Sequence, residues 1–104
     1  MLSDTLKARF DEEIKTNPVV LYMKGNALFP RCGFSARALE LLKPFGPVHT
    51  VDVLADDSIR EGIKAYSSWP TIPQIYIHGQ FIGGSDIVGE LAARGELEAL
   101  VKGS

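Results

Sequence analysis

A single cysteine, Cys32, is all the thiol chemistry available to this chain of 104 residues. No disulfide can close inside it, so the fold is not stapled and needs no oxidising compartment. The two histidines, His49 and His78, stand isolated and read as strand or turn residues, not as metal ligands. A basic excess is missing too. Eleven Lys and Arg against 13 Asp and Glu leave a net charge of −2, without the electrostatic footprint of a nucleic-acid binder. No apolar run reaches the ~20 residues that span a bilayer, so no membrane partner is expected. Met1-Leu2-Ser3-Asp4-Thr5 lacks the basic-then-apolar order of a secretory signal, and its acidity disfavours a transit peptide. The expected location is therefore cytoplasmic, with a mitochondrial or other organellar location left for a chain trimmed from a longer precursor. Repeats and low-complexity segments are absent, and the length suits one domain, 1–104.

Helical and strand patterns succeed one another along the rest of the chain. Ser3 can cap a helix whose Leu6, Phe10 and Ile14 form one apolar stripe, and Asn17-Pro18 ends it. Val19-Val20-Leu21-Tyr22-Met23 is too compact for a helix and reads as a buried strand. A second helix starts near Cys32 and is expected to turn Phe34, Ala38, Leu41, Leu42 and Phe45 inward before Gly46-Pro47 stops it. Residues 48–53 form the next strand, and strand–helix–strand implies a parallel pair. Residues 55–58 are loop and cap for a third helix marked by Ile59, Ile63 and Tyr66. Trp69-Pro70-Thr71-Ile72-Pro73 breaks that helix. Residues 74–78 turn at His78-Gly79-Gln80 into a hairpin partner, Phe81-Ile82. Gly83-Gly84-Ser85-Asp86 opens a fourth helix, and Leu97, Leu100 and Val101 mark a short last one. This order predicts an α/β fold, a mixed four-stranded sheet flanked by helices on both faces.

Cys32 thus falls at a strand–loop–helix junction. The first turn of a helix offers unpaired N–H groups and a partial positive charge. Both favour the thiolate, which is the nucleophile and the metal ligand. Lys24 and Arg31 can add positive charge from the two ends of the loop. The bland alternative is a small buried apolar cysteine, which the surrounding Pro30-Arg31-Cys32-Gly33 suits poorly.

Cys32-Gly33-Phe34-Ser35 with Lys24 upstream, Trp69-Pro70-Thr71-Ile72-Pro73 in the middle and Gly83-Gly84-Ser85-Asp86 late resembles the monothiol glutaredoxins of the CGFS type. The resemblance covers almost the whole chain. It implies a thioredoxin-like fold, glutathione binding and, for many members, a 2Fe-2S cluster held between two subunits. It assigns Lys24 to glutathione, where a lone lysine would otherwise be a solvated charge. Arg60 matches a basic residue used for the glycine carboxylate; alone it would be a solvated helix face. Thr71-Ile72-Pro73 matches the segment beside the reactive cysteine, with Pro73 in cis and the Ile72 backbone free to pair with glutathione; otherwise Pro73 is an ordinary strand-start proline. Trp69 and Pro70 either cover the same site or, for Trp69, belong to the core. Gly84, Ser85 and Asp86 offer helix N-terminal N–H groups to a carboxylate and the Asp86 side chain to an ammonium, the bland alternative being a glycine turn with Asp86 as cap. Many members carry cysteine where this chain has Ser85, so an accessory thiol is lost here.

Two functions follow. Ser35 stands where a dithiol protein has its second cysteine, so internal disulfide exchange is excluded. A 2Fe-2S cluster takes about four ligands, usually thiolates. One chain supplies Cys32, two chains supply two thiolates, and two bound glutathiones complete the set. The expectation is an iron–sulfur cluster carrier, monomeric when apo and homodimeric with cluster, dealing with cluster donor and acceptor proteins and, as frequent in the family, a BolA-family protein. The alternative is an oxidoreductase that reduces protein–glutathione mixed disulfides by the monothiol route. The stretch 25–31, longer than in dithiol glutaredoxins, disfavours it, since a small misplacement of the reacting group costs up to about a hundredfold in rate.

Overall fold

The computed structural model describes residues 2–103; Met1 and Ser104, the ends of the expected 1–104 domain, lie outside the described residues. The elements are α1 (Asp4–Thr16), β1 (Val19–Met23), α2 (Gly33–Leu42), a 3-10 turn (Lys43–Phe45), β2 (His49–Asp52), α3 (Asp57–Ser67), β3 (Gln74–Ile77), β4 (Gln80–Gly83), α4 (Ser85–Ala93) and α5 (Leu97–Lys102). They build one four-stranded sheet in the order β2-β1-β3-β4. β1 pairs parallel with β2 and antiparallel with β3, and β3 pairs antiparallel with β4. This is the mixed α/β arrangement of the thioredoxin-like fold.

β1 is central because every one of its residues is apolar and buried. Successive strand side chains point to opposite faces, and β1 divides accordingly. Val19, Leu21 and Met23 join Leu39, Leu42, Val88 and Leu97 from α2, α4 and α5. Val20 and Tyr22 join Phe10 and Ile14 of α1 and Ile59 and Ile63 of α3. Full burial of each such side chain is worth about 1.5–3 kcal/mol, so helices are held on both faces. The second layer also contains aromatic contacts. Phe10 meets Tyr22 and Tyr66 edge-on at 5.6 and 5.4 Å, and the Tyr22 hydroxyl donates to Glu13 Oε1 at 2.9 Å.

The order of elements matches the sequence reading, with three local corrections. Phe34 does not turn inward: it is 68% exposed. The inward stripe of α2 is Ser35, Ala38, Leu39 and Leu42, the i, i+3, i+4, i+7 spacing of one helix face. Its first member is a serine, which an apolar pattern passes over. β2 is shorter than residues 48–53, although Val53 stays paired through its N–H to Met23 O at 2.9 Å. Finally, β3 stops at Ile77, because His78 (φ 49°) and Gly79 (φ 82°) both enter the left-handed region, as a two-residue hairpin turn that follows the sheet twist requires.

Candidate functional site

Beyond the C-terminal end of β1 lies a cleft of about 500 Å³. The loop that leads into it is tightly built. Gly25 (φ 90°) has no room for a side chain: a Cβ there would lie 2.5 Å from the Phe29 carbonyl oxygen. Its N–H donates to Asp52 Oδ1 at 3.0 Å. Asn26 Oδ1 accepts from the N–H groups of Leu28 and Phe29 at 3.0 and 2.9 Å, and the Arg31 N–H returns to Lys24 O at 2.8 Å. The tip of this loop leaves Leu28 and Phe29 exposed.

Cys32 follows as the N-cap of α2 and is partly exposed. Burial pushes its thiol up. Hydrogen bonds from the Ser35 and Phe34 N–H groups and from the Ser35 hydroxyl, with the charge of Lys24, outweigh that and hold it below the ordinary thiol range. Ser35 is fully buried, and its Oγ also accepts from the Lys24 N–H at 3.1 Å. One hydroxyl therefore ties the end of β1 to the start of α2 and to the sulfur.

The facing walls come from three other segments. On α3, Arg60 and Lys64 line the cleft. Arg60 Nε is buried and unpartnered among the described residues, while Lys64 lies 3.5 Å from Glu61. Pro70, Thr71, Ile72 and Pro73 form the next wall, and the Ile72–Pro73 peptide is cis. The start of α4 closes the ring. Gly83 takes φ 134°, where a Cβ would sit 3.0 Å from Ile87 Cγ1, so a glycine is needed. Gly84 is the N-cap and makes no side-chain cap bond, so Asp86 does not act as the cap the sequence allowed.

All eight residues singled out in the sequence line this one cleft: Lys24, Cys32, Arg60, Ile72, Pro73, Gly84, Ser85 and Asp86. Arg31 is not among the lining residues, and Lys24 alone supplies the side-chain charge acting on the thiol. Trp69 does not line the cleft either; it packs against Phe81 with ring centroids 5.8 Å apart. The structure adds Phe34 and Lys64. Lys64 was legible in principle, because four residues after Arg60 it shares a helix face.

The arrangement offers one activated thiol at the start of α2, three cationic side chains, one carboxylate and, at α4, a helix N-terminus whose N-cap has no side chain to close it. Residues 19–82 match the family model described as Glutaredoxin. A protein of Synechocystis sp. named as an uncharacterised monothiol glutaredoxin is 52% identical over 97 residues, covering 92% of this chain and 91% of that one. The mitochondrial monothiol glutaredoxin-5 of Schizosaccharomyces pombe is 43% identical over 106 residues, covering 98% and 73% respectively. Among solved structures, reduced apo GrxS14 of poplar matches with a TM-score of 0.83 at 44% identity, over 94% of this chain and 91% of that one.

Proposed function

The chain belongs to the glutaredoxin family, among its monothiol members, and we propose that it binds glutathione and carries a 2Fe-2S cluster shared between two copies. The observation that carries this reading is the composition of the cleft. Glutathione has two carboxylates, one ammonium, an extended backbone and a thiol. The cleft sets Lys24, Arg60 and Lys64, the backbone of Gly84 and Ser85 at the start of α4, the Asp86 carboxylate, the Ile72 backbone and the Cys32 thiol around one volume. Arg60, with an uncommitted buried donor, suits the glycine carboxylate. The N-terminus of α4 suits the γ-glutamyl carboxylate, and Asp86 its ammonium. Bound so, glutathione supplies a second thiolate near Cys32.

Among the described residues no three His, Cys, Asp or Glu side chains gather as a metal site. One chain therefore contributes one ligand, and about four are needed. Two chains with two glutathiones make up the number. Leu28, Phe29 and Phe34 are the exposed apolar side chains flanking Cys32 in the chain; three residues a side are far fewer than an obligate interface employs. The cargo itself then holds the dimer, and its release to an acceptor returns monomers. Cluster donors, acceptors and a BolA-family protein are the partners this reading names. Cytosol or, as for the fission-yeast relative, mitochondrion is where it would work.

The lowered thiol favours a second activity. Cys32 thiolate attacks the glutathionyl sulfur of a protein mixed disulfide and the protein thiolate leaves. A second glutathione thiolate then attacks the sulfur of the bound glutathione, releasing oxidised glutathione and Cys32. The long 25–31 stretch, held by its own hydrogen bonds, disfavours this activity by misplacing glutathione for attack. Protein isolated without air should show visible cluster absorption with stoichiometric iron and sulfide, and low turnover in a glutathione-coupled reductase assay. A colourless protein with high turnover would reverse the assignment.

A further inference from the structure

The wall formed by residues 70–73 belongs to no helix or strand, and two of its four residues are prolines without an N–H. What holds it lies underneath. Gln74, the first residue of β3, is a fully buried amide, an uncommon interior residue. Its Nε2 donates to the main-chain carbonyls of Trp69 at 3.1 Å and Thr71 at 3.2 Å. Gln74 itself does not line the cleft.

The consequence follows from peptide geometry. The Thr71 carbonyl and the Ile72 N–H belong to one planar unit, and that bond is trans, since the only cis peptide among the described residues is Ile72–Pro73. In a trans unit C=O and N–H point in opposite directions. Drawing the Thr71 oxygen down onto a buried amide aims the Ile72 N–H the other way, outward from the interior. We propose that Gln74 is the positioning residue of the glutathione site: its amide orients the Thr71–Ile72 peptide so that the Ile72 N–H faces the ligand's backbone. The groups that lower the thiol, on Phe34, Ser35 and Lys24, belong to other segments than residues 69–74.

This rests on the glutathione reading, and the experiment separates the two. Gln74→Met keeps the length of the side chain and removes both donors. Calorimetric titration of the apo variant with glutathione should show affinity reduced by about tenfold, what leaving one buried donor without its partner costs. The pH profile of Cys32 alkylation should not move, whereas general loosening would move both. A folded variant with wild-type affinity, or one whose alkylation profile shifts as well, overturns the proposal. Wild-type protein that binds no glutathione overturns the functional reading instead, and this one with it. Should Gln74→Met not fold, NMR of the wild type decides. The Gln74 side-chain protons should exchange slowly and show through-bond coupling to the Trp69 and Thr71 carbonyl carbons, and the Ile72 amide should shift on adding glutathione. Absent coupling or an unmoved Ile72 amide refutes the assignment.

Discussion

Helices α1 and α3 begin closed, while α2 and α4 begin open. Ser3 Oγ accepts from the Leu6 N–H at 3.1 Å, and Asp56 Oδ1 accepts from the Ser58 N–H at 2.8 Å. No side-chain oxygen occupies the starts of α2 and α4, where Cys32 presents a thiol and Gly84 has no side chain. All four starts carry the same unpaired N–H groups and partial positive charge. Where a side chain occupies them they serve stability. Where no oxygen does so they remain for the thiol or for a ligand, and both such starts line the one cleft. The thiol uses the first and, in the functional reading above, a carboxylate uses the second.

The largest expected effect comes from removing the sulfur at the open start of α2. Cys32→Ser should abolish cluster binding altogether and leave the melting curve almost unchanged, because Cys32 is only partly buried. Iron and sulfide analysis after anaerobic reconstitution checks it; wild-type loading of the variant would show that Cys32 is not the ligand.

At the open start of α4, Asp86→Ala should weaken glutathione binding by about 1.5–3 kcal/mol, the worth of one charged hydrogen bond. Since Gly84 holds the N-cap position and makes no side-chain cap bond, stability should fall only by about 0.3–1 kcal/mol, what one acidic first-turn residue contributes. A lowered melting temperature with unchanged affinity would mean that Asp86 is a structural residue.

Ser35→Ala tests what stands in for a cap at Cys32. It leaves the Lys24 N–H without its acceptor, at a cost of about 1–3 kcal/mol for a buried group, and removes one of the bonds that lower the thiol. The midpoint of the alkylation–pH profile should lie below 9.0 in the wild type and move up towards it in the variant. The sign for stability is set by the same shift. The folded thiol loses its proton at lower pH than the unfolded one, so the native state holds fewer protons between the two values and stability rises with pH there. The contribution is complete above the unfolded value and is lost as pH falls through the folded one. Equal midpoints in both proteins would remove Ser35 from the account.

Smallest is the closed start of α1. Ser3→Ala should cost about 1 kcal/mol of stability with no change in glutathione affinity. Thermal melting beside a titration reads both, and altered affinity would blur the division between open and closed starts.

The fold was legible because its signals are local. A stripe of Leu6, Phe10 and Ile14 at four-residue spacing, an unbroken apolar β1 and the prolines at residues 70 and 73 each declare an element within a few positions. The cleft residues were legible because three short motifs carry them. What stayed hidden depends on packing between elements. Phe34 and Ser35 exchanged roles because burial at a helix start is decided by where the sheet lies, not by which residue is apolar. Gln74 is a polar residue at the head of an apolar strand, and only the folded path of residues 69–71 across it shows why it is buried. Arg60 could be singled out only by resemblance, and Lys64 only with a helical phase for α3 in hand.

The central claim is that an activated single thiol and an open glutathione site make a cluster carrier out of two chains that otherwise stay apart. Light scattering on the purified protein, before and after anaerobic reconstitution with iron, sulfide and glutathione, tests it most directly. The apo protein should have the mass of one 11.3 kDa chain. The reconstituted protein should double in mass, contain about two iron atoms and two glutathiones per pair of chains, and return to monomer when a chelator strips the cluster. An apo dimer of equal stability, or a cluster retained on a monomer, would contradict it.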